Sequence, residues 1–245
     1  MATAPVLKAL TELTSPRPGT PTLRGNIDTG LVFDFDPAIL LPTPDATNVT
    51  ALPSRRGKLS GASTLGAVPG TAYPTVRTNE AYPGLSFAGA NALRTPAWTA
   101  PFEGAFTVAV VARATAITSA QNFYTGLTHP TRGLGYAAAT PLGIGRGGSN
   151  QVLWNQPLNT GQYYLFIAVY DGANSVAQVN DLPATKGTTG GNASSFIPGF
   201  TFGANAAGST SYLNGRILRA ISWDRALTER ERGVLAERMM AEYNL

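Results

Sequence analysis

The 245-residue chain contains no cysteine and one histidine, and only 13% of its residues are charged. Each shortage excludes something. Without cysteine there is no disulfide framework, no thiolate metal site and no cysteine nucleophile. A lone His129, followed by Pro130, is too little for a histidine-based zinc site or a Ser-His-Asp triad, and it reads as a loop residue. No run of 18 apolar residues occurs, so no membrane-spanning helix is expected. The N-terminus lacks the basic, apolar and small-residue succession of a secretory signal, so synthesis in a cytoplasm is expected. Lysine is also scarce, with 3 against 15 arginines, for a net charge of +4. These basic residues are scattered, the densest run being Arg55, Arg56 and Lys58. Nucleic-acid binders gather such residues on one face with aromatics between them, so no nucleic-acid partner is expected.

What the chain does have is 43% hydrophobic residues, 27 glycines and 18 prolines. That is ample apolar material for a core. Glycine, proline, threonine and asparagine recur every few residues, which argues against a helical bundle. The composition points to a β-rich protein, and one domain of this length is normal for a β-sandwich.

Residues 1–29 read as an arm and spacer. Val6, Leu7, Leu10 and Leu13 fall at helical spacing, and three prolines between Ser15 and Pro21 then forbid regular structure. Two readings stand: a partly ordered terminus, or an apolar arm that docks on a partner subunit. From residue 30 the pattern changes to strands. In LVFDFD, Leu31, Phe33 and Phe35 are expected on one face and Val32, Asp34 and Asp36 on the other. Residues 42–80 form an irregular, proline-punctuated excursion with one or two short strands. Further strands are expected over 83–89, 105–115, 122–127, 133–139, 162–172 and 175–181, and over 200–204 and 212–225. The run Gln162 to Gly172 is apolar on both faces, so it belongs in the middle of a sheet covered on both sides. Asp171-Gly172 and Asn214-Gly215 signal tight turns. One helix closes the chain: Thr228 and Glu231 make a capping box, and Leu227, Leu235, Met239 and Tyr243 form its buried stripe. Gly233 within it is expected to permit close approach to the sandwich. The fold class is therefore all-β: an antiparallel β-sandwich over residues 30–245, with one C-terminal helix and an N-terminal arm.

The order of segments resembles the concanavalin A-like, laminin-G-like jelly-roll family. LVFDFDP (Leu31 to Pro37), LSFAG (Leu85 to Gly89) and QYYLFIAVYDG (Gln162 to Gly172) are similar to successive strands of that family. Its closing pattern "FNGRIAEVRIYDRALTEAE" is matched by YLNGRILRAISWDRALTERE (Tyr212 to Glu231). The opening, with LVFDFDPAIL, VTALPSRRGK and PTVRTNEAYPGLSFAG, is similar to that of many tailed-phage virion proteins that carry such domains. The resemblance implies a virion location and a non-enzymatic structural role in head decoration, a head fibre or the tail. Partners would be other capsid or tail proteins, and copies of the chain itself in a homo-oligomer. The low charge suits surface that partners cover. The alternative is a lectin-like host-attachment module for cell-surface glycans.

Related glycoside hydrolases of this fold use a Glu-x-Asp-x-x-Glu strand. None of the 14 acidic residues has that spacing, and no catalytic residue is assigned. No cofactor is expected, apart from a calcium ion that such domains often bind; Asp34, Asp36, Asp171 and Asn174 are the candidate ligands, with Asn180 and Asp181 beside them. These residue types suit turns equally well. Asp224 is expected to cap the turn into the helix and pair with Arg225 or Arg216. The glycine-rich Gly143 to Asn150 lacks the Lys-Ser/Thr ending of a phosphate loop and reads as a hairpin. Sugars stack on exposed aromatics, and the candidates are Tyr73, Tyr82, Trp98, Tyr124, Tyr136 and Trp154. Trp223 is expected in the core.

Overall fold

A computed structural model describes residues 27–58, 64–98, 104–117, 119–127, 133–136, 142–145, 151–189 and 198–245. The arm residues Val6, Leu7, Leu10 and Leu13, and His129, lie outside them.

Sixteen strands pair into two antiparallel sheets among the described residues. The first runs, in spatial order, β14 (Thr185–Gly187), β13 (Ser175–Val179), β12 (Tyr164–Tyr170), β7 (Phe106–Ala114), β16 (Asn214–Trp223), β5 (Gly84–Ala88) and β4 (Thr75–Arg77). One edge of β16 carries β7 along its length; the other is divided between β5 and β1 (Leu31–Phe35). The second sheet runs β11 (Val152–Trp154), β10 (Leu142–Ile144), β9 (Leu134–Tyr136), β8 (Gln121–Gly126), β15 (Phe200–Phe202), β6 (Leu93–Arg94), β3 (Thr64–Ala67) and β2 (Ala51–Pro53). The excursion 42–80 thus holds three short strands, where the sequence suggests one or two. It also ties the sheets together. Ala46 and Val49 donate to the carbonyls of Val76 in β4 and Pro74 just before it, and Arg55 and Lys58 donate to those of Asp34 and Leu31 in β1.

The inner faces meet in an aromatic core. Phe106 stacks on Tyr170 with ring centroids 4.5 Å apart, and Phe33 stacks on Phe35 at 4.6 Å. Offset and edge contacts of this kind add about 0.5–1.5 kcal/mol per pair beyond area burial. The hydroxyls of Tyr124 and Tyr170 bond each other at 3.0 Å within that core.

The apolar character of β12 on both faces has its expected cause. Phe166, Ala168 and Tyr170 enter the sandwich core, while Leu165 and Ile167 lie in a second cluster on the outer face. The helix α1 (Glu229–Tyr243) covers that cluster with Leu235, Ala236, Met239 and Tyr243. Its start is the Thr228–Glu231 capping box. Gly233, however, is exposed and faces open space, so it makes no close approach to the sandwich.

Three further expectations are corrected by β-sheet geometry. A bulge in β1 re-phases the LVFDFD alternation: Val32 and Phe33 both enter the sandwich core, while Leu31 joins the outer cluster. One inserted residue reverses every later side chain of a strand with period two. Asn214 and Gly215 open β16 rather than form a turn. Glycine is required there because a Cβ would lie 2.1 Å from the Arg113 carbonyl of β7. Finally, Ile27, read as part of the arm, is buried in the outer cluster, and its carbonyl accepts the Trp223 indole N–H at 2.6 Å.

Candidate functional site

The carboxylates of β1 are occupied by arginines. Asp34 is fully buried on the outer face, where Arg219 Nε and Nη2 donate to its two oxygens at 2.8 and 2.9 Å. A bulge at Leu218 turns Arg219 toward that face, and Arg219 Nη1 also reaches Glu242 of α1 at 2.8 Å. Arg56 Nε adds a further bond to Asp34 at 2.8 Å. Burial pushes the Asp34 carboxyl up, but the bonds and charges of Arg219 and Arg56 outweigh it and hold it below the usual range. Asp36 caps the 3-10 turn Pro37–Leu40, accepting from Ala38 N–H at 2.8 Å, and pairs with Arg55. Both carboxylates are thus engaged by arginines.

The other calcium candidates sit apart. Asp171 precedes, and Asn174 ends, the 3-10 turn Gly172–Asn174 between β12 and β13. Asn180, in the left-handed region at φ 52°, accepts the Leu165 N–H through its side chain. Among the described residues no three His, Asp or Glu side chains converge. Asp224 pairs with Lys58, and Arg225 with Glu231, in place of the expected Asp224–Arg225 contact.

The aromatic candidates divide by burial. Tyr124, Tyr136 and Trp154 are core residues, each at most 5% exposed, so none offers a ring face to a sugar. The reason is phase: Tyr136 and Trp154 lie on inward positions of β9 and β11, which register through β10. Trp98 packs beside Phe33 and Phe200, and Tyr82 makes an edge contact with Tyr243 of α1 at 5.4 Å. Of the six, Tyr73 alone is exposed, at 40%. The expected aromatic platform is therefore not assembled from these residues.

A different constellation, which the sequence reading missed, crosses the outer face of the first sheet. Arg216 of β16 registers with Arg113 of β7 on one side and Ser86 of β5 on the other. The Arg113 guanidinium lies over the Tyr163 ring at 4.6 Å. Glu80 pairs with Arg216 and stands 3.6 Å from Arg113. Arg77 pairs with Asp45 at 3.3 Å, and its carbonyl accepts from Arg216 Nη2 at 3.5 Å. Asp45 in turn accepts the Thr78 N–H at 2.8 Å, which holds the turn that carries Glu80. That backbone bond, first among its influences, keeps the Asp45 carboxyl below its usual range. Among the described residues, the Nε atoms of Arg113 and Arg216 and the Tyr163 hydroxyl are buried without a hydrogen-bond partner. One sequence signal marks the row: an arginine at an outward position inside each of two apolar strands, AFTVAVVARAT and NGRILRAISW.

No family model matches the chain, and no curated protein sequence matches it. Solved structures do share its fold. A Trypanosoma rangeli sialidase is similar with a TM-score of 0.61 at 12% identity, over 87% of this chain and 33% of that one. The same enzyme in complex with sialic acid gives 0.59 at 10% identity. The binding domain of botulinum neurotoxin DC in complex with SialylT gives 0.61 at 8% identity, over 87% of this chain and 52% of that one. The chain thus spans about a third of the sialidase and about half of the toxin domain. At these identities the likeness shows the β-sandwich fold alone.

Proposed function

We propose that the chain is a non-enzymatic structural module on the surface of a tailed-phage virion, present in symmetric copies. The observation that carries the non-enzymatic part is the state of its buried carboxylates. Asp34 and Asp36 are bound by Arg219, Arg56 and Arg55, so each acid serves as a structural brace. General acid-base work needs a carboxyl poised near the working pH; Asp34 is held in the opposite direction. The virion part is supported by the sequence resemblance of the opening and closing segments. A sandwich whose sheets are tied at one side by residues 46–58 supplies a rigid body. A stable contact on it needs about 800 Å² per partner. Quantitative mass spectrometry of purified particles tests this reading. The chain should be present at a fixed copy number, and its absence from particles overturns the proposal. Deleting residues 1–26 should lower incorporation.

A second reading is a lectin-like attachment module. Support comes from the row of arginines beside Tyr163 on the outer sheet face. It also comes from fold neighbours whose structures hold sialic acid or SialylT. A glycan array probed with the full chain checks it, and no bound glycan would remove it.

A further inference from the structure

The outer-face row carries more hydrogen-bond donors than the described residues satisfy. Three guanidiniums, Arg77, Arg113 and Arg216, share two carboxylates, Asp45 and Glu80. Asp45 is already committed to the Thr78 backbone, and Glu80 is divided between two arginines. The Arg216 side chain is 3% exposed, yet among the described residues its Nε has no acceptor, nor does Arg113 Nε. Leaving a buried donor unmade costs about 1–3 kcal/mol, and more for a charged group. Burial and the neighbouring Arg77 push Arg216 down to about 10, against the opposing pull of Asp45. The patch is short of negative charge and of acceptors together.

We propose that this row binds the carboxylate of an acidic saccharide, with Arg113 and Arg216 receiving it and Glu80 as the internal carboxylate that it displaces. Guanidinium forks match a planar carboxylate through paired N–H bonds, which a point-charge lysine does not. Glu80 stands on a surface turn outside the strands, so it swings away without unpairing the sheet. Gly84 forms the floor: a Cβ there would lie 2.5 Å from Leu218 Cδ2 and 3.4 Å from Arg216 Nη2. Tyr163 at the end of the row is an aromatic that carries the Arg113 guanidinium on its ring, and its buried hydroxyl has no hydrogen-bond partner among the described residues. An aromatic beside the fork favours a ring-bearing ligand over a bare inorganic anion.

The site deepens the attachment reading, on which it rests, and is independent of the structural role. The experiment titrates the full chain with D-glucuronate, D-glucose and sulfate, followed by NMR shifts. Glucuronate should bind at millimolar concentration, and glucose should not. Arg113→Gln should weaken glucuronate by about tenfold or more, the worth of one charge-assisted bond. Glu80→Gln should tighten it by about tenfold, since no internal carboxylate competes. Thermal unfolding checks each variant; Arg113→Lys, which keeps the charge but loses the fork, replaces Arg113→Gln if that variant does not fold, and it too should weaken glucuronate. Equal binding of glucose overturns the proposal, as does sulfate binding as tightly as glucuronate. So does a failure of both wild type and Glu80→Gln to bind. If an array shows acidic glycans whose binding survives Arg113→Gln, the attachment reading stands and this site falls.

Discussion

At the scale of single residues, the buried charges belong to the scaffold. Asp34 is fully buried and Arg219 is 3% exposed, joined by two bonds of 2.8 and 2.9 Å. Removing one partner of such a pair leaves an uncompensated charge and costs about 3–5 kcal/mol, while replacing both by apolar residues is often neutral. Arg219→Met should therefore destabilise strongly in urea unfolding, and the double variant Asp34→Leu/Arg219→Met should recover much of the loss. The residue types were visible in the sequence, but their pairing was not, because Asp34 and Arg219 are 185 positions apart. Asp34 and Asp36 consequently read as a polar strand face or a calcium site. Similarly, the sequence offers Tyr124, Tyr136 and Trp154 as sugar-stacking aromatics, and only strand registration places them in the core.

Individual elements show how far local rules reach. Helix α1 was legible almost in full, because its cap and its stripe are sequence-local. Thr228 and Glu231 exchange the bonds of a capping box, and Arg225 grips Glu231 at 2.7 and 2.9 Å. Arg225 above all, with Thr228 adding to it and burial opposing, brings the Glu231 carboxyl down to about 2 from 4.5. A carboxyl depressed in the folded state contributes stability that is complete above its unfolded pKa and is lost as pH falls through the folded value. The helix start should therefore weaken between about pH 4.5 and pH 2. Unfolding midpoints across that range should flatten in Glu231→Gln. Gly233 is a separate case. It faces open space, so alanine there meets nothing and gains helix propensity. Gly233→Ala should raise stability by about 0.5–1 kcal/mol in the same assay. Strand phase was less legible than the helix: the bulges at Val32 and Leu218 each insert one residue and invert the faces beyond them.

For the whole molecule, the two clusters either side of the first sheet set the limits of the folded unit. Ile27 plugs the outer cluster and accepts the Trp223 indole N–H. A chain beginning at residue 31 should be less stable than one beginning at residue 27, by about 1–3 kcal/mol for the orphaned donor alone. Thermal unfolding of the two truncations checks this. The layer architecture, the central place of β12 and the terminal helix follow from the order of residues alone. Period-two apolar runs, turn residues and a capping box act within a few positions of one another, so they survive reading in one dimension. The chemistry of the outer face arises from strand pairing. Arg77, Arg113, Tyr163 and Arg216 come from four distant segments, and they meet only because antiparallel registration lays β4, β5, β16, β7 and β12 side by side.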